Sequence, residues 1–226
     1  MSIRLHFVVE GQSEETFVNR VLRVHLSQFE VWTDARCVYT SRQGPYWIRG
    51  GMTRYSRARR DVELWLKQDR GSDVRLTTMF DLYRLPLDFP GMVDAAKQHG
   101  VHEKVKILEA AFAEDVVDPR FIPYIQVHEF EALIFADVGR LSIPYPGPER
   151  TPALTELERQ RKEYGNPEEI DLEAPPSKRI REQIPDYEKI SAGILATEAI
   201  GLARIREVCT HFHEWLRRLE NLGTET

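Results

Sequence analysis

The chain has 226 residues, of which 42% are apolar and 30% are charged, and its formal net charge is -5. This composition is typical of a folded globular protein, so it excludes a disordered chain and a protein that coats nucleic acid through overall positive charge. The first residues lack the pattern of a secretory signal, and no stretch approaches the ~20 apolar residues of a membrane span. We therefore expect a cytoplasmic protein without membrane contact.

The first predicted unit is a strand, a turn and a helix. Residues 3–10 are rich in β-branched and aromatic side chains and end at Glu10, and Gly11 stops the strand. From Ser13 onward the apolar residues recur at helical spacing, which predicts a capped amphipathic helix. Glu14 lies one helical turn after Glu10, close enough for the two carboxylates to share an ion or its water shell.

A basic segment follows the second predicted strand, which covers residues 31–40. Two glycine-containing pairs, at 44–45 and 50–51, predict a loop before a helix over residues 54–69. From residue 41 to residue 60 there are six arginines and no acid, with tyrosine and tryptophan among them. Such a segment suits a nucleic-acid backbone or unpaired bases, although an ordinary basic loop and helix face has the same composition. The candidate contacts are Arg42, Arg49, Arg54, Arg57 and Arg60.

The third and fourth predicted strands also alternate with helical segments. Residues 73–80 form the third strand, which ends at Asp81, and residues 93–114 have helical spacing. Residues 120–127 form the fourth strand, in which Pro123 favours an edge position or a bulge. The alternation predicts an α/β fold with a mostly parallel four-stranded sheet that is flanked by helices and joined by right-handed crossovers.

A segment rich in proline, residues 142–152, divides the chain. Residues 1–141 form the predicted α/β domain, and residues 142–226 form a linker and a C-terminal helical extension. The last predicted helix carries an apolar stripe. We therefore expect the extension to pack on the same core.

Acidic residues lie at the ends of the predicted strands, where parallel sheets carry their functional groups. Glu10 and Asp81 would reach one Mg²⁺ if their strands are neighbours, because Mg²⁺ prefers oxygen ligands. Two such ions can activate a water and stabilise the leaving oxygen in phosphodiester cleavage. The plainer alternatives are a helix cap at Glu10 and a turn initiator at Asp81.

The sequence HEFEALIF, which begins at His128, adds two further acids in a predicted short helix over residues 129–135. It lacks the second histidine of the HExxH zinc-protease motif, so a zinc site of that kind is not indicated. Glu129 and Glu131 are two residues apart and would point in different directions on a helix. We expect at most one of them to face the site, and Glu129 is the candidate because it lies nearer to the strand end.

The helical extension supplies basic residues in the sequence APPSKRIRE. Lys178 is a candidate for contact with a scissile phosphate, and Arg179 is a candidate for contact with nucleic acid. A solvated basic helix start is the alternative interpretation.

VEGQSE after an apolar strand, followed by a strand that ends in an acid, resembles the Toprim domain of topoisomerases, primases and OLD-family nucleases. The longer motifs VEGQSEETF, TTMFDLYRLPLDFPG, RFIPYIQVHEFEALIF and APPSKR resemble a small bacterial Toprim-like family known as domain of unknown function 4276. That resemblance covers nearly the whole chain. It implies that Glu10 and Asp81 coordinate Mg²⁺ or Mn²⁺, whereas Tyr83 stands where the second aspartate of a DxD motif is required.

The resemblance also implies further site residues and partners. Asp88 or Glu129 would substitute for the missing aspartate, and Lys178 would match the late lysine of OLD nucleases. Families of this kind are often encoded beside an ATPase and suspected of phage defence, so an ATPase is an expected partner.

Two functions follow from the sequence. The first is a metal-dependent phosphodiesterase, a nuclease acting on DNA or RNA, in which Glu10, Asp81, Glu14 and Glu129 surround the metal and Lys178 stabilises phosphate charge. The second is an inactive Toprim-like module that docks on a partner ATPase, which the missing second aspartate favours. Primase-like nucleotide transfer ranks last, because the sequence reveals no nucleotide pocket.

Overall fold

A computed structural model describes residues 2–43, 46–49, 52, 54–170 and 174–224, and for residues 39–43 and 46–49 it describes the backbone alone. The strands are β1 (Ile3–Val9), β2 (Val31–Cys37), β3 (Tyr39–Gln43), β4 (Tyr46–Arg49), β5 (Val74–Asp81), β6 (Phe121–Ile122) and β7 (Ile125–Gln126).

The main sheet confirms the predicted α/β class with a mostly parallel sheet. Its order is β2-β1-β5-β6, and β7 also pairs with β5. Every pairing in it is parallel, with β1 between β2 and β5. Because parallel strands end at the same edge of a sheet, the residues after β1 and β5 lie side by side.

The predicted fourth strand is divided at Pro123, and β6 and β7 are its two halves. Proline has no backbone N–H, so it cannot continue the ladder of hydrogen bonds. The hydroxyl of Thr78 fills the gap, since it donates to the Tyr124 carbonyl at 2.9 Å and accepts from the Tyr124 N–H at 2.9 Å. Strand β6 lies at the edge of the sheet, so the predicted edge position is confirmed.

The helices are α1 (Gln12–Phe17), α2 (Arg23–Leu26), α3 (Tyr55–Gln68), α4 (Met92–Ala95), α5 (Val101–Val116), α6 (Thr151–Lys162), α7 (Pro176–Gln183), α8 (Ile194–Val208) and α9 (Thr210–Asn221). A π-helical turn, Val18–Leu22, joins α1 to α2. A kink at Gly201, whose φ is 76°, bends α8. None of the described helices combines the length and apolar character that crossing a bilayer requires.

The prediction of a loop after the second strand is wrong for the described backbone. Strands β3 and β4 form an antiparallel hairpin instead. Tyr46, Trp47 and Ile48 have high strand propensity, which outweighs the nearby glycine and proline signals. The glycine-containing pairs 44–45 and 50–51 lie outside the described residues.

Two hydrophobic cores cover the two faces of the sheet. Along β1, Leu5, Phe7 and Val9 enter one core and Val8 enters the other, as strand alternation requires. The first core also contains Trp215 of α9 and the other buried apolar residues of the C-terminal helices. The helical extension thus packs directly on the sheet that carries the acidic strand ends.

Candidate functional site

The ends of β1 and β5 bring Glu10 and Asp81 together, because these two strands are neighbours in the sheet. The backbone N–H of Asp81 donates to Glu10 Oε2 at 3.2 Å. Both side chains are buried, with relative exposures of 5% for Glu10 and 3% for Asp81. Two carboxylates that are 71 positions apart in sequence therefore share one edge of the sheet.

Glu14 joins them from the first turn of α1, where it is also buried. The turn before it approaches its carboxylate closely, since a Cβ at Gly11 would lie 3.0 Å from Glu14 Oε2. Glycine at this position leaves room for the carboxylate beside the backbone.

Glu129 and Glu131 reach the same region from the end of β7, and both are buried. His128 adopts a left-handed conformation with φ of 62°, Glu129 is extended, and a 3₁₀ helix begins at Phe130. The backbone N–H of Phe130 donates to Asp81 Oδ1 at 3.0 Å, which ties this turn to β5.

The expectation that at most one of these two glutamates faces the site holds for the cleft lining, which includes Glu129 and not Glu131. That expectation assumed regular helical spacing, whereas the backbone is extended at Glu129 and becomes a 3₁₀ helix only afterwards. Glu129 lines the cleft and accepts from the Ser177 N–H at 2.7 Å. Glu131 lies beneath it and contacts the lysine described next.

Lys189 occupies the centre of this acidic group, and the sequence analysis missed it. Its Nζ lies 3.0 Å from Glu131 Oε2, 3.5 Å from Asp81 Oδ2 and 3.8 Å from Glu14 Oε1. It begins a π-helical turn, Lys189–Gly193, in the helical extension. The surrounding sequence DYEKISAG contains no metal-binding or catalytic motif, so only the folded arrangement reveals the lysine.

The carboxylates around Lys189 outnumber it, and the pKa values of three of them are raised as a result of burial and mutual repulsion. Burial, together with repulsion from Glu14, raises the pKa of Glu10 to about 7. Burial also raises the pKa of Glu131 to about 7 and the pKa of Asp81 well above its ordinary value, although Lys189 opposes both shifts. Burial alone would lower the pKa of Lys189, but the carboxylates, Asp81 first, hold it above its usual range.

The donor set suits a hard divalent cation such as Mg²⁺ or Mn²⁺, because it consists of buried carboxylate oxygens. Glu14 Oε1 and Glu131 Oε2 are buried and accept no hydrogen bond of good geometry, although both lie within 4 Å of Lys189 Nζ. Within the part of the chain that the structure describes, no three acidic, histidine or cysteine side chains form a ready-made metal cage. The carboxylates are spaced around an ammonium group instead.

A cleft of about 330 Å³ opens over these residues. Two exposed arginines, Arg84 after β5 and Arg181 on α7, line the cleft together with Lys189. The remaining lining residues are Glu10, Gly11, Gln12, Ser13, Glu14, Asp81, Glu129, Ser177 and Ile190. The cleft therefore combines an acidic floor with cationic side chains at its rim.

Three residues considered in the sequence analysis lie away from the cleft lining. Lys178 is exposed on α7 and does not line the cleft. The guanidinium of Arg179 makes hydrogen bonds within the protein, since it donates to the Ala174 carbonyl at 2.7 Å and to the Tyr164 hydroxyl at 3.1 Å. Tyr83 does not line the cleft either, and its side chain is about half exposed.

The basic segment is described only in part. Arg54 and Arg60 are exposed and Arg57 is half-buried, whereas the side chains of Arg42 and Arg49 lie outside the described residues. Acids from elsewhere compensate part of its charge, because Arg59 pairs with Glu63 at 3.0 Å and with Asp115 at 3.1 Å.

Comparison with known proteins gives one matching family and one similar solved structure. The family model described as "Domain of unknown function (DUF4276)" matches residues 9–220. Among solved structures, the chain is similar to the "C-terminal region of the Xanthomonas campestris pv. campestris OLD protein". That similarity has 16% identity and a TM-score of 0.44, and it covers 98% of this chain and 96% of the other. Comparison with curated proteins finds no match.

Proposed function

The chain belongs to the DUF4276 family, and we propose that it is a metal-dependent phosphodiesterase that cleaves DNA or RNA. One observation carries this proposal. Five buried carboxylates from three separate chain segments gather around a single ammonium group, at the edge of the sheet where α/β proteins place their functional groups. A cleft lined by two arginines opens over them.

Burying several acidic side chains together costs free energy. An ionised carboxylate that is removed from water destabilises the fold by several kcal/mol unless a cation or hydrogen bonds compensate it. Lys189 lies within 4 Å of Asp81, Glu14 and Glu131, and Arg84 offsets part of the charge on Glu10, yet the five acids outnumber the three cations that line the cleft. The excess of carboxylates therefore supports a divalent cation as a further partner.

The carboxylates have distinct places around such an ion. Glu10 and Asp81 would bind it directly, while Glu14 and Glu129 would complete or orient its shell. The chemistry that Mg²⁺ or Mn²⁺ supplies when bound is activation of a water and stabilisation of the leaving oxygen. Hydrogen bonds to the carboxylates, including the one from Ser177 N–H to Glu129, hold these side chains in place.

The cationic residues act on the substrate. Lys189 takes the role that the sequence analysis gave to Lys178, because its ammonium lies in the cleft and can stabilise the charge that develops on a phosphate. Arg84 and Arg181 would hold the flanking phosphates, since a guanidinium binds phosphate with two parallel hydrogen bonds. The basic segment, with Arg54, Arg57 and Arg60, is a second candidate contact for the backbone, and an ATPase remains the partner to test.

The alternative of an inactive docking module rests on Tyr83, which stands where a second acid is required in the Toprim motif. Glu129 and Glu131 bring two acids to the same edge of the sheet from the neighbouring strand end. The missing aspartate therefore does not leave the site short of carboxylates, and the enzyme is the better supported function.

The test is a cleavage assay with the full-length protein. Supercoiled plasmid, single-stranded DNA and RNA are each incubated with Mg²⁺, Mn²⁺ or EDTA. We expect metal-dependent cleavage that Glu10→Gln abolishes and that Glu15→Gln, a change of the same kind on α1 outside the cleft lining, leaves intact. Equal cleavage by both variants would place the activity elsewhere, and tight binding without cleavage in every condition, including with a neighbouring ATPase, would favour the docking module.

A further inference from the structure

Building on the proposed function, we infer that Lys189 is a tethered cation that occupies the metal position, so that metal binding is an exchange with its ammonium group. The divalent ion enters as the ammonium leaves the three carboxylates and moves toward the mouth of the cleft. Lys189 therefore sets the apparent affinity of the site for metal and reaches the phosphate only after the metal has bound.

The first support is the position of the ammonium. Its nitrogen lies 3.0 to 3.8 Å from oxygens of Glu131, Asp81 and Glu14, which come from three different parts of the chain. The proposed metal position shares Asp81 and Glu14 with the ammonium, and a divalent ion would stand about 2 Å from each oxygen that binds it. Both cations cannot occupy that space together, because the volume overlaps and their like charges repel strongly in a buried site.

The second support is the incomplete bonding of the carboxylates. Glu14 Oε1 and Glu131 Oε2 are both buried and point toward the ammonium, yet neither accepts a hydrogen bond of good geometry. Buried acceptors are normally satisfied in native proteins. Carboxylate oxygens that have the ammonium nearby, at 3.0 and 3.8 Å, but accept no hydrogen bond of good geometry indicate a site in which Lys189 is one of two alternative occupants.

The third support is a route out for the lysine. Its side chain is 28% exposed and lines the cleft, so the ammonium can move toward solvent without passing through the core. It begins a π-helical turn, and such turns are frequent at functional sites. The neighbouring Ile190 also lines the cleft and is 46% exposed, so no packed layer closes the exit.

The experiment measures the reactivity of individual lysines in the wild-type protein. The chain is treated briefly with an amine-acetylating reagent, with Mn²⁺ or with EDTA, and acetylation at each lysine is quantified by mass spectrometry. Exchange predicts that Mn²⁺ increases the acetylation of Lys189 several-fold. Lys178, an exposed lysine outside the cleft lining, is the internal control and should react equally in both conditions.

The affinity of the protein for Mn²⁺ provides a second test of the exchange. Mn²⁺ is titrated into wild-type protein and into Lys189→Met by calorimetry, with melting curves to confirm that both are folded. The variant should bind Mn²⁺ at least about tenfold more tightly, because a competitor that fills most sites lowers the apparent affinity by the same factor. If Lys189→Met does not fold, the double variant Lys189→Met with Glu131→Gln is used in its place. The double variant removes one charge of each sign.

The outcomes separate this inference from the proposed function. Mn²⁺ binding with unchanged acetylation of Lys189, and with equal or weaker binding by Lys189→Met, overturns the exchange and leaves a nuclease site intact. Exposure of Lys189 by Mn²⁺ without cleavage of any nucleic acid supports the exchange and contradicts the nuclease. Mn²⁺ binding by neither wild type nor variant overturns both.

Discussion

Two sites with buried carboxylates in this molecule differ in how the carboxylate oxygens are hydrogen-bonded. Glu168 is fully buried, and its two oxygens accept the backbone N–H groups of His211 and Phe212 at 2.9 and 3.0 Å. It caps the start of α9. Around Lys189, by contrast, Glu14 and Glu131 each retain a buried oxygen that accepts no hydrogen bond of good geometry.

The contrast shows which feature of a buried acid indicates function. Burial alone does not, because Glu168 is as buried as Glu131 and serves the architecture of the helical extension. Unbalanced charge and unused lone pairs distinguish the cleft, since a fold gains no stability from leaving them uncompensated. Substitutions that remove charge should therefore act in opposite directions in the two regions.

The largest expected effect is on activity, from Asp81→Asn. We expect cleavage to fall at least about 1,000-fold, because the variant loses a charged ligand while keeping its shape. Stability without metal should not fall, because the charge that is removed is buried among other carboxylates, and the rise in melting temperature caused by Mn²⁺ should disappear. The control is Asp94→Asn, an exposed acid paired with Lys97 on the surface. A normal response to Mn²⁺ in Asp81→Asn would show that this carboxylate is not a ligand.

The second effect is on stability, from Glu168→Ala. It leaves two buried N–H groups at the start of α9 without an acceptor, and each costs about 1–3 kcal/mol, so we expect a loss of about 4 kcal/mol. Activity per folded molecule should be retained. Urea unfolding curves measure the loss, and the exposed neighbour Glu169→Ala should change little. A loss of activity in the folded Glu168→Ala protein would remove the distinction between the two regions.

The third effect is the pH dependence of stability without metal. The folded protein holds a proton on Glu10 up to pH about 7, whereas the unfolded chain releases it near 4.5. The stability that this protonation contributes is present below pH 4.5 and is lost as the pH rises to about 7, by about 3 kcal/mol. Glu10→Gln should therefore match wild type near pH 4.5 and exceed it near pH 8 in urea unfolding. If the free energy of unfolding had the same pH dependence in the two proteins, Glu10 would not destabilise the folded protein when it is ionised.

The smallest effect lies in the helical extension, at His211. Burial lowers its pKa, but the hydrogen bond between its ring and Glu109 at 2.9 Å and the charges of Glu109, Glu168 and Glu214 together outweigh burial and raise it. Stability from the charged ring is present below pH 6.5 and is lost as the pH rises through the folded pKa. Relative to His211→Gln, the wild type should lose about 1 kcal/mol above that pH, the typical worth of one hydrogen bond. The exposed His99→Gln is the control, and an identical profile for it would refute a specific role of the buried ring.

The sequence predicted the elements that depend on local patterns. Enrichment in β-branched and aromatic residues placed β1 and β5, and the position of the acids at their ends followed from the rule for parallel sheets. The hairpin of β3 and β4 was missed because glycine and proline signals were given more weight than strand propensity.

The rest of the site depends on the path of the chain in three dimensions. Lys189 reaches the cleft because the helical extension folds back over the edge of the sheet, and no spacing in the sequence encodes that contact. Glu131 was set aside because regular helical geometry was assumed where the chain has a left-handed residue and a 3₁₀ turn. Sequence reasoning therefore found the strand-end acids and missed their cation.

The most direct test of whether these acids bind a divalent cation is a crystal structure of the protein with Mn²⁺. The crystals are grown with Mn²⁺, and diffraction is measured at a wavelength where manganese scatters anomalously. We predict an anomalous peak in the cleft within about 2.3 Å of carboxylate oxygens of Glu10 and Asp81. An anomalous peak elsewhere on the protein, or a cleft that contains no Mn²⁺ at saturating concentration, would contradict the proposal that these acids converge to bind a divalent cation.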